Sequence, residues 1–326
     1  MTAKTQPLLR VRDLSVEFGT GTNAVRVVDG VGFDLMPGQA LAIVGESGSG
    51  KSVSVRSILR LLPRTGRVVS GSAHLKNDDL LALPTRALRR IRGRDVGMVF
   101  QNAMEAMNPT LTLERQLTEH LLWHGICDRT EARERAVHAL DEVGIPDPER
   151  RIRGYPFQLS GGMRQRAMIA MAMVTEPALL IADEPTTAVD VTVQRQLLDV
   201  LAALRAKGTG IVMITHDLGV ARHFCDDTVV MYAGRVVERA ATEELLQRPR
   251  HPYAAGLLAS SVEVGGRNLP LEPIQGSPPD PSRRPQGCAF HPRCSAAQLP
   301  RCQHEQPLIP VGANHEAACW KAERNV

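Results

Sequence analysis

Apolar positions along this chain follow two alternating patterns. Residues 40–44 (Ala-Leu-Ala-Ile-Val) form an unbroken apolar run, and residues 51–62 then carry apolar side chains at helical spacing. The first pattern predicts a strand buried on both faces, the second an amphipathic helix. The alternation returns at 178–182, another apolar run. It returns again where a helical stretch over about 193–207 stops at Gly208 and gives way to Gly-Ile-Val-Met-Ile-Thr at 210–215. Glycine just past the last periodic residue is a helix stop signal. Such strand–helix–strand alternation predicts a parallel sheet. A β-rich stretch over 8–44 comes first, and helical character dominates an insert over about 105–175. Within that insert, residues 163–174 contain neither Gly nor Pro, so Ser160-Gly161-Gly162 is predicted to open a helix.

The link between the first strand and the first helix carries the chemistry. It reads Gly45-Glu46-Ser47-Gly48-Ser49-Gly50-Lys51-Ser52 and fits G-x-x-x-x-G-K-[ST] in full. Glycines let the backbone turn tightly, so that successive N–H groups of Ser47, Gly48, Ser49 and Gly50 point into one concavity, and the helix N-terminus adds partial positive charge. Lys51 is expected to reach the β- and γ-phosphates of a nucleotide and Ser52 to hold Mg²⁺. The run at 178–182 ends in Asp183-Glu184. Asp183 is placed to sit beside Mg²⁺, and Glu184, one residue on, to polarise an attacking water. The exposed N–H groups opening the helix after Ser160 would make a second anion site, far from the first in sequence. The simplest use of two such surfaces is a composite site, in which one subunit covers the nucleotide held by another. His216 emerges at the end of the 210–215 strand, where it would face the nucleotide edge.

Taken in order, these elements resemble the ATPase subunit of ABC transporters, from about residue 8 to 250. Gly45–Ser52 matches Walker A, Gln101 in Gly-Met-Val-Phe-Gln-Asn the Q-loop, Leu159–Gln165 the signature, and Ile181–Glu184 Walker B. Ala188-Val189-Asp190 matches the D-loop, with Val189 where Leu is usual, and His216 matches the switch histidine. The resemblance implies that Phe18 or a near neighbour stacks on adenine. It also implies that Gln101 senses the nucleotide's Mg²⁺, and that Ser160, Gly161, Gly162 and Asp190 serve the site across a dimer. The fold implied is α/β: an ATPase domain over 1–250 with an N-terminal antiparallel β subdomain and a helical insert, then a small extension over 251–326. Arg-Pro-Arg-His-Pro-Tyr at 248–253 and the Pro-rich stretch at 273–294 resemble the C-terminal region of ATPases in oligopeptide and dipeptide importers, some of which carry nickel. Residues 99–117 resemble them too, departing at Asn102-Ala103 (usually Asp-Pro) and Met107 (usually Leu). The partners implied are a second ATPase subunit, giving a heterodimer, two membrane permeases and an extracytoplasmic solute-binding protein. Peptide is the default solute; nickel or another small solute, or a non-transport soluble ATPase, are the alternatives.

Bulk properties fit this picture. With 326 residues, about two domains are expected, and 43% hydrophobic with 23% charged residues is ordinary for a globular chain. A net charge of +4 is too slight to point to nucleic acid, and the arginines between Arg86 and Arg94 are predicted to line a solvated helix face before a strand. The N-terminus shows no apolar signal region, and no apolar run approaches the roughly 20 residues needed to span a bilayer. The expectation is a soluble, cytosolic chain that reaches the cytoplasmic face of the membrane through partners.

Four of six cysteines, Cys288, Cys294, Cys302 and Cys319, crowd the end of the sequence with spacing C-x₅-C-x₇-C-x₁₆-C. A reducing compartment argues against disulfides. The spacing lacks the C-x₂₋₄-C pairs usual at zinc sites and matches no general iron–sulfur pattern, so the residues alone leave iron–sulfur, zinc or unligated thiols open. Resemblance to peptide-importer ATPases in which such a cluster occurs implies [4Fe–4S]. The segment is Pro-rich with little apolar content, so it is predicted to build no core and to gain from a metal staple, whose role would be structural. Cys127 and Cys225 are predicted to be ordinary buried thiols.

Overall fold

The computed structural model describes residues 6–102, 106–185, 191–261 and 273–322. They form two compact units, one of residues 9–35, 40–82 and 214 onward, the other of residues up to 8, 36–39 and 83–213.

The first unit opens with β1 (Leu9–Phe18), β2 (Val25–Leu35), β3 (Ala40–Val44), α1 (Lys51–Ile58), β4 (Gly66–Leu75) and β5 (Asp78–Asp79). Four of these form an antiparallel sheet in the order β2-β1-β4-β5. Leu9, Val11, Leu14 and Val16 of β1 are buried, while a bulge with Asp13 in the left-handed region resets the alternation between Val11 and Leu14. In β3 all five residues are buried, as a strand covered on both faces requires. Helix α1 stops at Ile58, four residues short of the sequence expectation. Leu61 N–H donates to the Arg56 carbonyl and Arg60 N–H to that of Ser57, with Arg60 in the left-handed region. This is a Schellman stop built without glycine, so it left no glycine signal to read.

The second unit holds α2 (Thr85–Ile91), β6 (Val96–Val99), α3 (Leu113–Trp123), α4 (Arg129–Glu142), α5 (Pro148–Arg151), α6 (Gly161–Met173), β7 (Leu179–Asp183), α7 (Val191–Ala206) and β8 (Gly210–Ile214). Its strands run in the order β8-β7-β6, with β6 parallel to β7, and every residue of β7 and β8 is buried. The predicted helical insert corresponds to α3–α6. The Asp128 carboxylate starts α4 by accepting N–H bonds from Thr130 and Glu131. Arg86, Arg89, Arg90 and Arg94, on and just after α2, are exposed. Met107 is buried, so it cannot itself form an outer contact surface; Ala103 lies outside the described residues.

The first unit then resumes with α8 (Leu218–Phe224), β9 (Asp227–Tyr232), β10 (Arg235–Ala241), α9 (Thr242–Gln247), α10 (Pro252–Ala259), β11 (Ile309–Gly312) and β12 (His315–Ala317). In this unit the strand order is β11-β12-β10-β9-β3, with β3 parallel to β9 and the other pairs antiparallel. The tail departs here from the sequence expectation that it builds no core. Val311, Ala317, Cys319 and Ala322 form a small cluster with Ile309 against it, and Phe290 and Trp320 are buried. Each large side chain so buried contributes about 1.5–3 kcal/mol. The tail achieves this by adding two strands to a sheet already made. Buried Glu238 fixes the junction, accepting N–H bonds from Arg250 and His251 while its carboxylate bonds His315 Nε2 at 2.8 Å. Among the described residues no helix is long and apolar enough to cross a membrane.

Candidate functional site

The loop between β3 and α1 closes on itself. Gly45 has φ near 150°, and a Cβ there would lie 2.2 Å from the Met231 carbonyl oxygen, so no other residue fits. Gly50 caps α1 in the left-handed region. The buried Lys51 ammonium turns back and donates to the carbonyls of Gly45 (2.7 Å) and Glu46 (2.9 Å). Ser49 Oγ is buried with no hydrogen-bond partner, a polar atom inside the concavity that a phosphate oxygen would satisfy. Phe18 ends β1 half-buried, with its ring over Gly66, where a Cβ would meet it at 3.0 Å. His216 follows β8 and is exposed; the adjoining Asp217 caps α8 by accepting from Gly219 and Val220 N–H.

The cysteine segment reaches this loop. Arg293, in the five residues between Cys288 and Cys294, holds the Glu46 carboxylate with both Nη atoms (2.6 and 3.0 Å). Its Nη1 also donates to Tyr232 Oη. Tyr253 Oη accepts the Glu46 N–H at 2.7 Å. Tyr232, Tyr253 and Phe290 pack together under these polar contacts, with ring centroids 4.5–5.3 Å apart. The Glu46 hydrogen bond raises the Arg293 pKa, and burial raises that of Tyr253. Sequence reasoning missed Arg293 and Tyr253, because a contact between positions so distant in the chain leaves no local pattern.

In the other unit, Asp183 closes β7 fully buried, and Glu184 follows with φ near 49°, a left-handed turn that ends the strand. Gln101 Nε2 donates to Glu184 Oε2 at 2.9 Å, so two predicted site residues are brought together. Ser160 and Gly161 are exposed at the start of α6, where Ser160 Oγ caps the helix by accepting the Met163 N–H. Gln165 on that helix donates to the Pro185 carbonyl at 2.8 Å, tying α6 to the turn just after Glu184. Asp190 and its neighbours from residue 186 lie outside the described residues.

No disulfide joins any of the six cysteines, all of which are among the described residues. Cys225 is buried as expected, but Cys127 is partly exposed, because it sits in the connection between α3 and α4. Burial pushes the Cys288 thiol up to about 11, and Cys319, Cys302 and Cys294 are near enough to add to the shift. Trp320 Nε1 and the Gln298 N–H both donate to Cys302 Sγ, at 3.2 and 3.3 Å. Among the described residues no group of three or more His, Cys, Asp or Glu side chains is placed to hold a metal ion.

A phosphate loop on a strand–helix junction, an acidic pair ending a buried strand and an exposed Ser-Gly-Gly helix start define an ATPase of the ABC class. The comparisons agree. Residues 28–187 match the ABC transporter family model, and residues 237–302 match that of the oligopeptide/dipeptide transporter C-terminal region. A Brucella abortus (strain 2308) protein named for peptide import and ATP binding is 46% identical over 97% of this chain and 95% of its own length. The oligopeptide transport ATP-binding protein OppD of Bacillus subtilis (strain 168) is 44% identical over 96% of this chain and 88% of its own length. A dimeric ATP-binding cassette solved after hydrolysis with ADP and Pi is 27% identical, with TM-score 0.65 over 72% of this chain and 98% of that one. An ATP-binding subunit of an ABC transporter is 29% identical, with TM-score 0.63 over 78% and 96%. The chain belongs to the ABC transporter ATP-binding family, in the branch that carries the oligopeptide/dipeptide C-terminal region.

Proposed function

We propose that this chain is the ATP-hydrolysing subunit of a peptide importer, working at the cytoplasmic face of the membrane. The observation that carries this reading is the presence, on one chain, of the ABC transporter match and the oligopeptide/dipeptide C-terminal match. Residues 1–250 form the ATPase domain, with its insert at about 105–175, and residues 251–326 the importer-type extension. Two permeases, a second and different ATPase subunit and an extracytoplasmic solute-binding protein complete the machine.

Phe18 stacks on adenine, and the loop of Gly45, Ser47, Gly48, Ser49 and Gly50 cradles the phosphates. Lys51 turns from the loop carbonyls to the β- and γ-phosphates. The hard oxygen donors of Ser52, Gln101 and Asp183 suit Mg²⁺. When bound there, Mg²⁺ would supply positive charge to offset that of the phosphates. Glu184 takes the proton of the attacking water, and His216 faces the γ-phosphate edge. Ser160, Gly161, Gly162 and Asp190 act across the dimer on the nucleotide held by the partner. Nucleotide moves the machine only through its differential affinity for closed over open dimers.

Cys288, Cys294, Cys302 and Cys319 are the residues that would hold a [4Fe–4S] cluster, a reading supported by the tail's resemblance to peptide-importer ATPases in which such a cluster occurs. The N–H donors of Trp320 and Gln298 at Cys302 Sγ are of the kind that stabilise a coordinated thiolate. Such a cluster would supply a structural staple to the tail.

The test is purification of the whole complex without oxygen, with ATPase assays in membranes with and without peptide-loaded binding protein. Stimulation by peptide, with about four iron and four sulfide per chain lost in Cys294→Ser, is the expected result. Ribosomes or DNA in place of permeases would overturn the transport reading, and stoichiometric zinc in a colourless protein would overturn the cluster.

A further inference from the structure

Arg293 belongs to the cysteine segment by sequence and to the phosphate loop by contact. Its side chain is only 6% exposed. Besides the two bonds to Glu46 it donates to the carbonyls of Gln275, Ile274 and Gly276 and to Tyr232 Oη, and its guanidinium lies 5.9 Å from the ring centroids of Tyr232 and Phe290. The planar fork matches the Glu46 carboxylate in two-point geometry that Lys cannot reproduce. Glu46 is held at two more places: its N–H by Tyr253, its carbonyl by Lys51. The second residue of the phosphate loop is therefore gripped by side chain, amide and carbonyl, and two of the three grips come from beyond residue 250.

From this geometry we infer that Arg293 is a positioning residue of the ATP site. Through Glu46 it holds the loop in its phosphate-binding shape, and it thereby makes nucleotide affinity depend on the order of the Cys288–Cys294 loop. Loss of the grip frees the Glu46 carboxylate and lets the loop sample shapes in which its N–H groups no longer converge. Only the fraction in the competent shape binds, so the apparent affinity falls by that fraction. The carboxylate and water chemistry at Glu184 are untouched, so turnover at saturating ATP changes little. Coupling is reciprocal: if Arg293 raises affinity for ATP, bound ATP must steady the Cys288–Cys294 loop by the same factor.

The inference rests on the P-loop being an ATP site, and the experiment separates the two. ATP·Mg binding is measured by calorimetry on the full chain, and KM and kcat on the assembled complex, for wild type, Arg293→Ala, Arg293→Lys and Glu46→Gln. Arg12→Ala, which breaks an exposed pair with Asp34 in the same unit, serves as the control. The expected result is an affinity loss of about 5- to 50-fold for Arg293→Ala, Arg293→Lys and Glu46→Gln, seen in KM more than kcat, and none for Arg12→Ala. The losses of Arg293→Ala and Glu46→Gln should not add in the double variant. Hydrogen exchange over residues 288–294 should slow on adding ATP in wild type but not in Arg293→Ala. Wild type that fails to bind ATP sinks the P-loop reading itself. Wild-type binding, with folded Arg293 and Glu46 variants within twofold of it or exchange at 288–294 blind to ATP, sinks the inference alone. If Arg293→Ala does not fold, Arg293→Lys and Glu46→Gln carry the same decision.

Discussion

Glu184 stands one residue beyond β7, and its carboxylate accepts the Gln101 amide. In its proposed role as general base it must take up a proton from water, and an amide oxygen is too weakly basic to do so. Glu184→Gln should therefore keep ATP binding but lose about 10²–10⁴-fold in turnover, whereas Lys51→Ala should weaken binding itself; isothermal binding and phosphate release separate the two. The P-loop, the acidic pair and the Ser-Gly-Gly helix start were legible because each is a local run of residues. Arg293, Tyr253 and Gln165 were not, because each acts by reaching a residue far away in the chain. Asp29 is a further residue of this kind. Burial alone would raise its pKa, but hydrogen bonds and charge from Arg235, Arg284 and Arg26 outweigh burial and hold it below the usual carboxylate range. A depressed carboxyl stabilises the fold above its unfolded pKa, and that contribution is lost as pH falls through the folded value. Asp29→Asn should thus lower the melting temperature near pH 7 by about 2–4 °C, with the gap to wild type closing below the unfolded value; thermal melts across pH would show it.

Among the elements, those read from periodicity were found where the pattern was strongest. The runs at 40–44, 178–182 and 210–215 became β3, β7 and β8 within a residue or so, because strands buried on both faces must be continuously apolar. The strands β11 and β12 were not foreseen. Ile-Pro-Val-Gly and His-Glu-Ala have no convincing strand pattern of their own, and they are strands because β10 offers an edge to pair with. That gives a prediction for the element. A chain ending after residue 304 loses both strands and His315, leaving the β10 edge open and the Glu238 carboxylate without one buried partner. Open edges pair with one another, so this variant should associate with rising concentration in light scattering; monodisperse behaviour would mean that the edge is protected another way.

For the whole molecule the decisive property is incompleteness. The nucleotide cradle and the Ser160–Gly162 surface are one each per chain, and the related cassette with ADP and Pi was solved as a dimer. The isolated chain should be a feeble ATPase whose activity rises on adding its partner. Ser160→Arg should abolish turnover at the partner's phosphate loop while leaving nucleotide binding to its own, as single-turnover assays with one disabled loop at a time would reveal. The order of the motifs made the ATPase class legible, and resemblance in the tail made the peptide-import reading legible.

The way the tail completes the sheet has a consequence during synthesis. Strand β10 ends at Ala241, and the strand that covers it, β12, begins at His315. At translation rates of roughly 5–20 residues per second, the open edge waits several seconds for its neighbour. For that interval the nascent chain displays a sticky β-edge beside a nearly finished ATP site, so its yield in a cell should depend on chaperone supply and on how quickly ribosomes traverse the cysteine codons.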